Sequence, residues 1–378
     1  MKTLFWLAVV GLLLFEIANV YFIMPMPGSQ KMNSIDFAYF LYRWRWKIRV
    51  FLALIMVIGL VNATWKRNWV PIIPIAMLLA VFYVSNFKMA ADHMFYQPKK
   101  LLLVSAAENK VDTGRLVMGV EMNGQAKAYP IRFLGFHHQV QDTIGGKPVM
   151  VTYCTVCRTG RVYEPIVNGK YEKFRLVGMD HFNAMFEDVT TKSWWRQVTG
   201  EAIAGKLKGQ QLPEMFSTQT SLAHWVALHP NTLIMQADSA YIKSFDTTGN
   251  FETGKSKDQL TGTDSLSWRD KSWVIGVKAG KNKKVYDWND LKARRIIEDK
   301  IENTPIVIVL ANDNKSFFAF ERPGENSQFY LSHDTLTDTH YHYRIDGKAI
   351  DTSASLKPLQ ASQEFWHSWR TFYPDSKR

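Results

Sequence analysis

Cysteine is nearly absent: the 378 residues hold only Cys154 and Cys157. That excludes a scaffold stapled by several disulfides and leaves one Cys-x-x-Cys pair to explain. Walker-type, GxSxG, HExxH and CxxCH motifs are missing too, and the lack of CxxCH counts against covalent c-type haem. Beyond Leu101 there is no run of Lys or Arg and no recognition-helix pattern, so the net charge of +12 does not point to nucleic acid. Much of that excess lies beside apolar segments, where anionic lipid head groups are the natural partner.

Long apolar runs are abundant, but only in the N-terminal quarter. Leu4–Met24, Val50–Trp65 and Trp69–Phe87 are each predominantly apolar, with Trp and Tyr near their ends. A membrane-spanning helix needs about 20 such residues, because lipid offers backbone groups no partners. The second run reaches that length only if Ile48 and Arg49 snorkel. The reading is an anchor of three transmembrane helices over 1–90, with the lipid bilayer as partner. The first run lacks a small-x-small site before Pro25 and is read as retained rather than cleaved. Glu16 within it is an intramembrane carboxylate, a candidate functional group.

After Leu101 short alternating apolar stretches broken by Gly, Pro and Asn predict strands, among them Val117–Met122, Val149–Tyr153, Val162–Glu164 and Phe174–Val177. Thr218–Leu228, with Trp225 on one face, predicts a helix. Val117, Gly119, Val120, Lys127, Tyr129, Asp142, Ile144, Pro148 and Glu164 recur in order as Val274, Gly276, Val277, Lys284, Tyr286, Asp299, Ile301, Pro305 and Glu321. Trp225 with Pro230 recurs as Trp369 with Pro374. Such collinearity predicts a mostly β (α+β) soluble part built from two tandem copies of one unit, at 101–240 and 262–378. The second copy lacks the cysteines and has Arg294 where the first has His137.

Residues that the second copy does without are the site candidates. Two cysteines two apart suit a metal ion or a reversible disulfide ring. Gly160 and a strand follow Cys157, so the geometry expected is a β-knuckle rather than a thiol at a helix N-terminus. A metal needs further ligands, and His137 (or its neighbour His138) and His181 are the candidates, making Cys₂His₂ or an open Cys₂His site. Thiolate with imidazole favours zinc or copper. Asp180 and Glu201 join the cysteines as candidate catalytic groups. Trp194 and Trp195 are read as walls of a binding pocket in which Arg196 holds a carboxylate.

The segments Thr152–Gly160, Asp180–Met185, Ser193–Gln197 and Gly200–Gly205 together resemble a bacterial and archaeal family catalogued as domain of unknown function 3179. That family shows Tyr-Cys-Pro-x-Cys, an upstream His-Glu-x-x-Asn-Asp segment and a Ser-x-Trp-x-Gln…Gly-x-Ala-Ile-x-Gly block. The resemblance covers roughly 117–236. Thr155 stands where Pro is usual, and of the His-Glu segment only His137 and Asp142 carry over. No reaction follows from the resemblance. It does imply a domain outside the cytoplasm, because similar proteins carry export signals or lipid anchors. Basic residues at 43–49 and 88–100 argue for the opposite orientation. The reading adopted is a multi-pass protein of the bacterial inner membrane with its large domain outside. Its expected function is metal binding or thiol redox chemistry at Cys154, Cys157 and His137. The alternative is a non-catalytic envelope binding or scaffold module with a structural disulfide.

Overall fold

The computed structural model describes residues 1–245, 249–338, 340–352 and 354–378. It divides into two compact units. One holds Met1–Tyr96, Glu172–Arg196 and Glu201–Gln211; the other holds Gln97–Tyr171, Gln197–Gly200 and Leu212–Arg378. The expected anchor followed by two tandem copies is corrected by this partition. Most of 172–211, expected inside the first copy, clusters with the N-terminal helices, and the remainder of both expected copies forms a single unit.

The first unit opens with α1 (Lys2–Tyr21), α2 (Ile35–Val61) and α3 (Ile72–Tyr83). Among the described residues only α1 is long and apolar enough to cross a membrane. The expectation of three spans, and with it the multi-pass topology, is thereby corrected. A helix need not stop where hydropathy does. The basic stretch 43–49 is not a loop: α2 runs through it, with Asp36 in the first turn, where a carboxylate complements the helix dipole. α3 has only 12 residues before a π-turn, Val84–Lys88.

Gly59 is what lets α1 and α2 touch, since a Cβ there would lie 2.5 Å from the Phe5 backbone nitrogen. Glu16 and Arg49 meet in this packing and are 1% and 7% exposed. Arg49 donates to both Glu16 oxygens at 2.6 and 2.8 Å, and Asn86 completes the cluster by donating to Glu16 and accepting from Arg49. The charge expected to snorkel is instead buried against a counter-charge, with Phe15, Trp46 and Phe82 around the guanidinium. The same unit contains an antiparallel sheet of Phe174–Asp180, Asn183–Asp188, Trp194–Arg196 and Ala202–Ala204. Its core joins Val177, Met185, Trp194 and Ile203 to Ala38 of α2.

The second unit is mostly β. Leu116–Met122 lies between Gln125–Pro130 and Thr218–Ser221, and Trp273–Ala279 lies between Asn282–Asp287 and Gln360–Phe365. In each trio one glycine faces an indole. A Cβ at Gly119 would fall 2.3 Å from Trp225, and one at Gly276 would fall 1.7 Å from Trp369, so no larger residue fits at either position. Thr218–Leu228 is not all helix. Thr218–Ser221 pairs as a strand, and Ser221 then caps Leu222–Leu228 by accepting from the His224 amide. The expected strands around the cysteines are present as the antiparallel ladder Gln139–Ile144, Lys147–Cys154 and Thr159–Tyr163.

Candidate functional site

Val149–Cys154 is buried at every residue, so both faces of the strand are covered, and its one small polar side chain, Thr152, donates to the Arg161 carbonyl. The strand ends at Cys154, which pairs across the hairpin with Thr159. Residues 155–158 form the turn, and Arg158 takes a positive φ of 54° to close it. This is the expected β-knuckle. Both thiols are fully buried and are not joined in a disulfide.

The turn is pinned from several sides. The Cys157 carbonyl accepts from the Phe365 amide at 2.9 Å and from the Thr159 hydroxyl at 3.1 Å. Arg158 donates to Gln363 at 2.8 Å and to the carbonyls of Phe251 and Glu252, with Trp273 3.6 Å beneath its guanidinium. Gln197 donates to Thr152 and to the Thr159 carbonyl. Deeper still, Arg161 pairs with Glu364, and both side chains are wholly buried. Burial opposes the Arg161 charge, but Glu364 beside it raises its pKa and keeps the guanidinium protonated. Glu364 also accepts from Ser362 at 2.9 Å and Ser368 at 3.2 Å.

A lysine and a histidine complete the environment of the thiols. Lys271 donates to the Val156 carbonyl at 2.9 Å and to the Leu260 carbonyl. Burial lowers its pKa, while Cys157 and then Cys154, when charged as thiolates, act in the opposite direction. His367 Nε2 stands 3.1 Å from the same carbonyl and 3.3 Å from the Lys271 nitrogen. Burial, reinforced by Lys271, brings its pKa down to about 4, so His367 is neutral near pH 7. Sequence reasoning missed Lys271, His367, Arg161 and Glu364. No spacing marks them, because they reach the cysteines only through the packing of distant strands.

The metal ligands proposed from sequence do not converge. Among the described residues no three His, Cys, Asp or Glu side chains are grouped to hold a metal ion. His137 packs its ring among Phe136, Tyr241 and Phe245, with centroids 5.2 to 5.6 Å away, the setting of a core histidine. His138 is buried as well, and burial brings its pKa down to about 4. Asp142 accepts from Lys127 at 2.9 Å and Tyr129 at 2.6 Å, a closed structural pair.

The remaining sequence candidates gather in the first unit. Asp180 Oδ2 receives two bonds from Arg196, at 2.8 and 2.6 Å, and Oδ1 lies 2.6 Å from His181 Nδ1. Burial alone would raise the Asp180 pKa, but His181 and Arg196 hold it below the ordinary carboxylate value. Glu201 lies 3.3 Å from Arg196, on the rim of a cleft of about 250 Å³. Arg196 does hold a carboxylate, one belonging to its own chain. His181 and Phe182 both have positive φ, 49° and 66°, in the two-residue turn after Asp180. Such turns usually take Asn or Gly, so this one holds backbone strain. The indoles mostly brace the sheet: Trp194 donates to Glu187 and Trp195 to Asp188.

Comparison with known proteins gives one match. Residues 98–376 fit the model of a family described as "Protein of unknown function (DUF3179)". No curated protein and no solved structure matches the chain.

Proposed function

The chain belongs to the DUF3179 family of unknown function, and we propose that it is a membrane-attached thiol protein whose Cys154–Cys157 pair exchanges with a disulfide of a partner protein. The observation that carries this reading is two buried cysteines in one turn with the Lys271 ammonium and His367 imidazole against it. An ammonium there favours a thiolate, the attacking species in disulfide exchange. One thiolate attacks a sulfur of the partner disulfide, whose S–S bond breaks and whose leaving thiolate takes a proton. The second cysteine then attacks the mixed disulfide, closing a Cys154–Cys157 bond and releasing the partner as a dithiol. The pair is oxidised by two electrons and the partner reduced by two. Because both sulfurs are fully buried, the turn must open to a partner before exchange begins.

α1 supplies the membrane attachment, since its length and apolarity suit a bilayer and Leu7, Val10, Leu14 and Ile17 are exposed along it. The placement outside the cytoplasm implied by the family resemblance is part of the proposal, and a reporter fused after Arg378 tests it. An active cytoplasmic reporter would overturn it.

The complete burial of the sulfurs favours one competing reading, a structural dithiol in a binding or scaffold module. Redox titration of the full-length protein in detergent, followed by alkylation and mass measurement, separates the two. Exchange predicts a single two-electron step in which both alkylatable thiols disappear together. Lys271→Met should move the midpoint to more negative potential, because the reduced form loses its stabilising cation. Thiols that resist every oxidant until the protein unfolds would instead establish the structural reading. Zinc and copper analysis of the same preparation covers the metal alternative, and stoichiometric metal on the cysteines would replace the exchange scheme.

A further inference from the structure

From the first unit alone, and independently of the thiol centre, we infer that a cleft at the end of α1 binds the anionic head group of a bilayer glycerophospholipid. The cleft has a volume of about 420 Å³ and is lined by the last turn of α1, by Tyr42 and Arg45 of α2, by 85–93, and by Arg175, Glu187 and Lys192. Its charges do not balance. Arg175 is fully engaged: it donates to Asp92 and Glu187, each at 2.9 Å, and to the Tyr42 hydroxyl. Tyr42 in turn donates to Glu187 at 3.1 Å. Both carboxylates of the cleft are thus committed to Arg175.

Arg45 and Lys192 have no such partner. Neither makes an ion pair among the described residues. Arg45 has one guanidinium nitrogen on the Tyr42 carbonyl at 2.6 Å and lies 3.9 Å over the Tyr42 ring, which fixes its position while leaving its other donors available. Three cations against two carboxylates leave one positive charge, which a single phosphodiester neutralises. Guanidinium and ammonium donors are also the groups that recognise phosphate oxygens. Arg49, nearby in sequence, adds nothing to this excess because Glu16 already neutralises it.

The surroundings choose the lipid over free phosphate. Val20 and Ile23 line the same cleft, at and just past the end of α1, which among the described residues is the helix apolar enough to cross a bilayer. The cleft is therefore amphiphilic: cations for a head group, with an aliphatic wall where acyl chains begin. Basic residues just beyond a membrane helix are where anionic lipid is attracted.

The test uses full-length protein in detergent micelles, titrated with short-chain phosphatidylglycerol, short-chain phosphatidylcholine or sodium phosphate and read by native mass spectrometry. One phosphatidylglycerol should be retained in preference to phosphatidylcholine, and inorganic phosphate should not compete for it at equal concentration. The double variant R45Q/K192Q should weaken retention about 30-fold, near fivefold for each charge removed. R45K/K192R, which keeps both charges, should bind nearly as the parent does. K66Q, which removes a basic residue that does not line the cleft, should change nothing. Equal retention of the two lipids, or parent-like binding by R45Q/K192Q, would overturn the site. Equally tight binding of inorganic phosphate would overturn the lipid as its ligand.

Discussion

Among the described residues each compact unit has one arginine–glutamate pair with both side chains less than a tenth exposed, and the two pairs are supported differently. In the helical unit Arg49 meets Glu16 with both oxygens engaged, shares Asn86 with it and rests among aromatic rings. In the β unit Arg161 meets Glu364 with no exposure on either side, and further bonds run to the Val198 and Gly160 carbonyls. Taking two charges out of water costs several kcal/mol, so neither pair need add net stability, yet removing one partner strands a charge. How much that hurts depends on what else the stranded group can reach. The helical pair has fallbacks in Asn86 and the rings, whereas Arg161 without Glu364 keeps one carboxylate, the partly exposed Glu214 at 3.4 Å.

Replacing Glu364 should therefore be the costliest single change. Glu364→Gln is expected to lower unfolding free energy by about 4 kcal/mol, measured by urea denaturation of the second unit's signals. A loss near zero would mean that Glu214 alone suffices to hold the Arg161 charge.

Acid should divide the units next. His138 and His367 both have folded pKa values of about 4 against 6.5 for an ordinary imidazole, so the unfolded chain takes up their protons first. Their contribution to stability is complete above pH 6.5 and is lost as the pH falls from 6.5 towards 4, about 3 kcal/mol for each. Asp180 in the first unit has a lowered pKa, so its contribution persists until the pH drops below the normal carboxylate range near 3.8. Hydrogen exchange at pH 7 and pH 4.5, corrected for intrinsic rates, should show peptides from 131–163 and 360–372 loosening more than those from 174–196. The reverse order would break the comparison.

The smallest effect is expected at Glu16. Glu16→Gln removes a charge-assisted contact but leaves Asn86 and three rings to Arg49, for a loss of about 2 kcal/mol in thermal unfolding in micelles. Glu16→Leu with Arg49→Leu should recover most of that loss, because no charge is left behind. A double variant worse than the single one would show that the pair itself holds α1 against α2.

The two pairs also differ in how visible they were beforehand. Glu16 stood out because a carboxylate inside an apolar run is anomalous, and anomaly is a local property. Arg161 and Glu364 gave no signal: they are 203 positions apart, and a charged residue in an alternating strand reads as a surface residue. Asp180, His181, Arg196 and Glu201 carry separate expectations in the sequence, as catalytic, metal-binding and pocket residues, and the fold gathers them at one cleft. His137, a candidate because the second copy has Arg294 in its place and because it precedes the strand leading to the cysteines, lies among aromatic rings. Proximity in sequence to a motif did not place its side chain beside the cysteines.

What the chain alone determined was whatever rests on short-range periodicity and steric rules. That covers α1 as a long apolar helix, the β character after Leu101, the hairpin that brings Cys154 to Thr159, and glycine where Trp225 and Trp369 press on a strand. The tertiary structure decided the rest. It ran α2 through a stretch of charges, drew 172–196 into the unit of the N-terminal helices, and set Lys271 and His367 against the thiol turn. These outcomes depend on which distant strands and helices pack together. Burial and charge pairing are energies of the assembled core, so residues far apart in the chain acquire their roles only when the fold closes around them.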